Sequence, residues 1–372
     1  MKVDFINSSY RRYFNNHRGE IMSAIEGVFE GGDFVLRKDV TEFEKNLAQF
    51  TGAKFAVGVN SGTDALKLSY EALGLKSGDE VITVSHTFIA PIEEIVHLGG
   101  KPILVDVGED ALMDTSRIEA LITDKTVGIV PVHLSGKICD MASILALAEK
   151  YKLWVVEDAC QALGARLGGK MAGTFGSTGA FSFISPKTLG GAGDAGGIIT
   201  DDEVLYEKLL LLRNHWNITQ GALHGFQPKQ PETMGWGHNS RLDNIQAAIL
   251  NIKFRYYPEM LKRRREIGRS YADGLAGLPI TLPTEQDGQI YQEYIIRVPD
   301  RDKFVEYMKE RGIELLVRDV VPNHKLLGLG FDCDLPMTEA MALDTVRLPV
   351  YPELTAEEVQ YIIDNVKKYY EK

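Results

Sequence analysis

A largely parallel β-sheet covered by helices, followed by a smaller αβ domain, is the architecture that this 372-residue chain predicts. Three observations carry the expectation. Between residues 55 and 200, seven short β-branched runs alternate with amphipathic stretches, as strands joined by crossover helices do. Hydrophobic residues make up 44% of the chain and charged residues 25%, the balance of a folded globular protein rather than a disordered one. The length suffices for one large domain and a second, smaller one.

The seven runs lie at 55–59, 81–84, 103–105, 128–132, 154–156, 179–183 and 197–200, and the last two are close enough to pair differently from the rest. Residues 63–73, 91–98 and 141–151 place apolar side chains at helical spacing between them. Residues 201–214 read as a Leu-rich helix. The stretch 215–238, rich in Gly, Pro and Gln, is too long for a simple connection and reads as an ordered functional loop. A further helix begins near Arg241 and runs through Leu261 into Lys262-Arg263-Arg264-Arg265, a cluster that reads as a solvated or salt-bridged helix face. A strand at 291–298 and helices at 302–311 and 356–370 complete a compact αβ unit. We therefore assign residues 1–254, opening with a helical segment, to a large domain and residues 255–372 to a small one, the division falling inside a helix.

Lysine and arginine number 41 against 52 acidic residues. The net charge of −11 disfavours bulk affinity for nucleic acid or an anionic membrane, so an anionic ligand needs a local site. No apolar run approaches the roughly 18 residues that cross a bilayer, and the first residues lack a signal-peptide core; the expected compartment is the cytoplasm. Cys139, Cys160 and Cys333 are widely spaced and form no Cys-x-x-Cys pair. They read as reduced thiols, with neither a disulfide framework nor a zinc site, and no metal is expected.

Lys187 is the residue whose flanks set it apart. Phe181, Ser182, Phe183 and Ile184 lead in, and Gly190, Gly191, Gly193, Gly196 and Gly197 follow, so that backbone can approach a ligand closely. An amine in partly apolar surroundings loses proton affinity and becomes a nucleophile toward carbonyls. A surface lysine beside a glycine-rich turn would show the same residues. Asp158 ends the apolar run Trp154-Val155-Val156-Glu157, and Gln161 follows. At the carboxyl end of a parallel strand, Asp158 faces the ligand crevice. There it either caps a helix or holds the proton on a pyridine nitrogen, making that ring an electron sink. Asn60-Ser61-Gly62-Thr63-Asp64 joins a strand to a helix, and the helix's first N–H groups with the hydroxyls of Thr63 and Ser182 suit either a phosphate or an ordinary cap. Phe88, after another strand, either stacks on a flat ring or packs in the core. Asn239 alone reads as a turn residue.

Taken together these segments carry a resemblance that covers nearly the whole chain. In order they are Val59-Asn60-Ser61-Gly62-Thr63-Asp64-Ala65-Leu66, Gly78-Asp79-Glu80-Val81-Ile82-Thr83, Thr87-Phe88-Ile89-Ala90, Pro131-Val132-His133-Leu134, Glu157-Asp158-Ala159-Cys160-Gln161-Ala162, Phe181-Ser182-Phe183 with Lys187, and Asn239-Ser240-Arg241-Leu242-Asp243. The chain resembles the sugar aminotransferases of the DegT/DnrJ/StrS family, which use pyridoxal 5′-phosphate (PLP). The fold implied is the PLP-dependent transferase fold type I, a seven-stranded mostly parallel sheet with flanking helices plus a smaller C-terminal αβ domain. The resemblance implies that Lys187 holds PLP as a Schiff base and serves as general acid and base, that Asp158 pairs with the pyridinium nitrogen, and that Gln161 contacts the ring hydroxyl. Gly62, Thr63 and Ser182 would hold the phosphate and Phe88 would stack on the ring. Asn239 would reach the phosphate of the neighbouring subunit's cofactor in a homodimer with shared sites.

The reaction implied takes an amino group from L-glutamate, leaving 2-oxoglutarate and pyridoxamine 5′-phosphate. A 3- or 4-keto group of a nucleotide-linked hexose then receives it, giving an amino sugar nucleotide for a surface polysaccharide, a glycoprotein glycan or an antibiotic sugar. A PLP-dependent sugar dehydratase on the same scaffold typically has histidine in place of the lysine, so Lys187 disfavours it. Asn-Ser-Gly-Thr-Asp and Asn-Ser-Arg-Leu-Asp disfavour an amino-acid lyase, and the complete set of cofactor groups disfavours a regulatory protein without activity. The chain departs from the family pattern at Ser135, often Tyr, at Trp216, often Gly, and at Gln292, often His, all of which bear on the sugar pocket. His133 and His324 lie near matching segments and read as structural.

Overall fold

The computed structural model describes residues 1–217, 233, 235–326 and 328–371. Its large sheet is built from β1 (Phe55–Val59), β2 (Glu80–Val84), β3 (Lys101–Val105), β4 (Thr126–Ile129), β5 (Trp154–Asp158), β8 (Thr178–Ser182) and β9 (Gly196–Thr200); a separate hairpin pairs β6 (Arg166–Leu167) with β7 (Lys170–Met171). The strand order is β1-β9-β8-β5-β4-β2-β3. Strands β3, β2, β4, β5 and β8 run parallel, whereas β9 is antiparallel to both β8 and β1, which is the different pairing expected of the last runs.

Both faces of this sheet are buried, as parallel sheets require. Successive strand residues point to opposite sides, and the core divides accordingly. Ile82, Val155, Phe181 and Ile199 join one apolar cluster with Phe43, Leu47 and Leu250, whereas their neighbours Val81, Val156, Ala180 and Ile198 join another with Leu66, Leu68 and Leu209. The first cluster is closed by α2 (Lys38–Thr51), α5 (Met141–Tyr151) and α7 (Asn244–Leu275). The second is closed by α3 (Gly62–Ala72) and α6 (Glu203–Leu212). Helix α1 (Asn7–Gly31) lies against α7, and α4 (Ala90–His97) connects β2 to β3.

The starts of β2 and β3 and the end of β4 differ from the sequence expectation for physical reasons. The parallel strands β2 and β3 start earlier than their apolar runs because Glu80 and Lys101 are register partners whose side chains pair at 3.4 Å. The β4 ladder stops at Ile129 rather than 132, since Pro131 has no N–H to give; its carbonyl accepts the Asp158 N–H at 2.9 Å, and Val132 returns as a single bridge to Asp158.

The smaller unit pairs β10 (Tyr294–Arg297) with β11 (Thr345–Leu348) and packs α8 (Arg301–Glu310), α10 (Ala356–Tyr370) and the end of α7 around them; α9 (Pro336–Asp344) leads into β11. Helix α7 runs through residue 255 and carries its apolar face from one core to the other, with Leu250, Tyr257 and Leu261 in the first and Ile267, Tyr271 and Leu275 in the second. Val3 belongs to the second core and bridges Ile313, so the first residues of the chain pack with the last third. Among the described residues no helix is long and apolar enough to cross a membrane. Of the expected loop at 215–238, only 215–217, 233 and 235–238 lie among the described residues.

Candidate active site

A cavity of about 830 Å³ opens beyond the carboxyl ends of β5 and β8, and its wall is completed by residues of the smaller unit. Gly62, Thr63, Phe88, Asp158, Gln161, Ser182 and Lys187 all line it. Asn239 does not: it is exposed, and its backbone bridges Asn214.

The strand period explains why Asp158 faces this space and Glu157 does not. Glu157 turns the other way into full burial, where it accepts N–H groups of Gly173, Phe175 and Gly176 and a bond from His133 Nε2 at 2.8 Å. Asp158 caps no helix, for β5 is followed by a turn, and its Oδ1 accepts the Cys160 N–H at 3.1 Å. At the start of α3 the capping is done by Ser61, whose side chain accepts the Asp64 N–H at 3.0 Å. The Thr63 hydroxyl thus makes no hydrogen bond among the described residues, and the N–H groups of Gly62 and Thr63 have no intrahelical acceptor. Gly62 must be glycine: a Cβ there would stand 2.7 Å from Ser182 Cβ and 2.9 Å from Cys160 Sγ. The close approach brings the helix N-terminus against the Ser182 hydroxyl, a cradle for an anion.

Gln161 Oε1 accepts the Ser135 N–H at 2.9 Å, which leaves its amide nitrogen for the cavity. Phe88 is 65% exposed, so it is a cavity-wall ring rather than a core one. Lys187 follows a turn closed by its own N–H on Ile184 O at 2.9 Å; its amine makes no ion pair or hydrogen bond among the described residues.

The opposite wall was not legible in advance. Glu293 is buried and receives Arg347 Nε at 2.7 Å and Arg318 Nη2, while Arg347 Nη2 reaches Asp319 at 2.8 Å. Burial works against the Glu293 charge, but Arg347 and Arg318 prevail and hold its carboxyl below the usual glutamate range. The basic cluster on α7 also needs correction, since Arg264 is not on a solvated face. It is 4% exposed, lines the cavity, and donates to the carbonyls of Tyr291 and Val350 at 2.9 and 2.7 Å. The signal for this wall was a charge inside an apolar strand pattern, at Arg347 within β11 and Glu293 just before β10.

The departures from the family pattern sit as follows. Ser135 takes a backbone φ of 57°, and Gln292 lines the cavity with its side chain on the Lys187 turn. Trp216, at φ 55°, holds a conformation that favours glycine, with its indole against Gly235. His133 is held between Glu157 and the Cys139 N–H, which donates to its Nδ1 at 3.3 Å. His324 joins Ser85 and Glu339 at 2.8 and 3.1 Å. Both are structural.

At one cavity this α/β fold gathers a lysine amine that has no ion pair or hydrogen bond among the described residues, a strand-end carboxylate and the N–H groups of a helix start. The chain belongs to the DegT/DnrJ/EryC1/StrS aminotransferase family, whose model matches residues 15–367. It is 36% identical over 361 residues to a pleiotropic regulatory protein of Geobacillus stearothermophilus, covering 94% of each chain. It is 38% identical over 358 residues to the dTDP-3-amino-3,6-dideoxy-α-D-galactopyranose transaminase of Aneurinibacillus thermoaerophilus, covering 95% of this chain and 96% of that one. Among solved structures, Streptomyces venezuelae DesV in complex with a ketimine intermediate superposes with a TM-score of 0.91 at 36% identity, covering 97% of each chain.

Proposed function

We propose that the protein is a PLP-dependent aminotransferase that moves an amino group from L-glutamate to the 3- or 4-keto group of a nucleotide-linked hexose. The observation that carries this reading is the convergence of seven residues, from Gly62 to Lys187, on one cavity, where the Lys187 amine makes no ion pair or hydrogen bond among the described residues.

The residues fit PLP. The Gly62 close approach makes a cradle that a Cβ would fill, next to free helix N–H groups and two hydroxyls. When bound, the cofactor supplies an aldehyde carbon for an amine and a ring that takes up electrons from the adjacent carbon. Gly62, Thr63 and Ser182 hold its phosphate. Asp158 keeps the proton on the ring nitrogen, where a positive charge deepens the electron sink. Phe88 would shield the ring from water, and the Gln161 amide, free to donate, would hold the ring hydroxyl. Lys187 takes the α-proton from the donor and returns a proton to the sugar carbon that receives the amine. The Arg318–Glu293–Arg347–Asp319 wall bounds the space left for the sugar nucleotide.

We further read the protein as a cytoplasmic homodimer in which the exposed Asn239 serves the neighbouring subunit's site. A visible absorbance band that shifts on adding L-glutamate is the expected signature, and Lys187→Ala should abolish it. Turnover of glutamate and keto-sugar by Lys187→Ala at the parent rate would overturn the assignment. Screening TDP-, UDP- and GDP-linked keto-sugars against the glutamate-treated enzyme identifies the acceptor.

A further inference from the structure

The two chain neighbours of Lys187 are held by a single side chain. Gln292 Oε1 accepts the N–H of Thr188 at 2.9 Å, and its Nε2 donates to the carbonyl of Pro186 at 3.0 Å. Gln292 reaches this turn from the segment that enters β10, more than a hundred residues along the chain. Its own backbone is fixed from two sides. Its N–H donates to Ser135 O at 3.1 Å, and the preceding Tyr291 carbonyl accepts buried Arg264 Nη1 at 2.9 Å. The Ser135 N–H in turn donates to Gln161 Oε1 at 2.9 Å. A continuous hydrogen-bonded path therefore runs from the Lys187 turn through Gln292 and Ser135 to Gln161, and it joins two residues that depart from the family pattern.

The bonds at the turn are suited to orientation rather than to general packing. Thr188 is already pinned through its hydroxyl to Tyr257 at 2.6 Å, and Tyr257 passes its own proton to Leu163 O at 2.7 Å. That contact fixes the far side of the turn. Pro186 has no N–H, so its carbonyl is the group by which the near side can be held, and Gln292 alone bonds it among the described residues. Only a side chain that donates and accepts at once can span both neighbours of the lysine, and a carboxamide does so without depending on protonation.

We infer that Gln292 is a positioning residue for Lys187: it sets the turn that aims the amine into the cavity and ties that aim to Gln161. The inference rests on reading Lys187 as the lysine that bonds the cofactor. Gln292→Met keeps the length of the side chain and deletes both bonds. Gln292→Glu is nearly isosteric, keeps the acceptor for Thr188 and loses the donor to Pro186.

The test is the condensation of Lys187 with added PLP, in which the amine nitrogen bonds to the aldehyde carbon and the aldehyde oxygen leaves as water. It is followed by absorbance and, after borohydride reduction, by mass spectrometry of the Lys187 peptide. The unfolding midpoint of the cofactor-free protein is measured beside it. Gln292→Met should condense at least tenfold more slowly than the parent, Gln292→Glu should fall between them, and both cofactor-free midpoints should stay near the parent's. Condensation by Gln292→Met within twofold of the parent overturns the inference, as does a slowing that only follows a lowered midpoint. If the parent itself does not label at Lys187, the functional reading fails first and the inference with it, a result distinguishable from either.

Discussion

Replacing Gly62 with alanine tests the phosphate cradle directly. The new Cβ would lie 2.7 Å from Ser182 Cβ and 2.9 Å from Cys160 Sγ, and Ser182 Cβ, bonded directly to the backbone, cannot swing away. Carbon atoms settle at about 3.5–4.0 Å, so the start of α3 has to retreat by about 1 Å. Overpacking of this kind costs about 1–3 kcal/mol of stability. The consequence for the ligand is larger than for the fold. A hydrogen bond of about 2.9 Å lengthened by that amount is no longer one, and a charge-assisted bond is worth about 1.5–3 kcal/mol. Affinity for PLP should fall between about tenfold and a hundredfold. Titrating parent and variant with PLP and with phosphate-free pyridoxal separates the cradle from everything else, because pyridoxal lacks the anion and should lose little. Gly19→Ala on α1 meets nothing within 4 Å and should change neither. If Gly62→Ala kept the parent's preference for PLP over pyridoxal, the helix N-terminus would not be the phosphate site.

Arg347→Met strips Glu293 of one of its two guanidinium partners and leaves Asp319 facing solvent; the loss should sit near the low end of the 3–5 kcal/mol for a broken buried pair, about 3 kcal/mol, because Arg318 stays in place. Adding Glu293→Gln should recover part of that cost in urea unfolding, and strictly additive single costs would refute the coupling. His86 is held down to about 4 by burial and then by Arg347, against 6.5 when exposed. Between those values the unfolded chain binds the proton and the folded chain does not, so stability should fall by on the order of 3 kcal/mol as pH drops through that window and be unaffected above it. His86→Asn should flatten that slope, and an unchanged slope would place the titration elsewhere. Mixing Lys187→Ala with Asn239→Ala subunits should restore activity through hybrid dimers in which one site carries both lesions and the other neither; no recovery would count against Asn239 acting across an interface.

How much of this was readable from the chain depended on how local each feature is. The sheet was readable because strands buried on both faces are continuous apolar runs, and only charged lead residues such as Glu80 and Lys101, or the donor lost at Pro131, moved their ends. The convergence of Asp158, Gly62, Thr63 and Ser182 on one cavity was readable for a related reason. Each of its parts is a short segment at the end of a strand, so Asp158, Gly62-Thr63 and Ser182 carry their geometry with them. Phe88 was open between core and cavity, and its exposure decides for the cavity.

The other wall follows a different logic, and that difference bears on specificity. Glu293, Arg318-Asp319 and Arg347 come from three separate stretches of chain, and only Glu293 and Arg347 stand out, as charges amid apolar residues. Arg347 inside β11 even hides the strand, because a charge there breaks the apolar pattern that would announce it. Burying Glu293 and Arg347 is tolerable because they pair with each other and with Arg318 and Asp319 at the cavity edge, which ties their identities together more tightly than packing would. A change in any one of them disturbs the rest, whereas the cofactor segments can stay as they are. Ser135 and Gln292, which depart from the family pattern, meet through their backbones, the Gln292 N–H donating to Ser135 O, so that bond does not tie their side-chain identities together. Substrate selection in this chain should therefore be altered by exchanging the four-charge wall as a unit. Single exchanges within it should cost stability before they alter the sugar that is accepted.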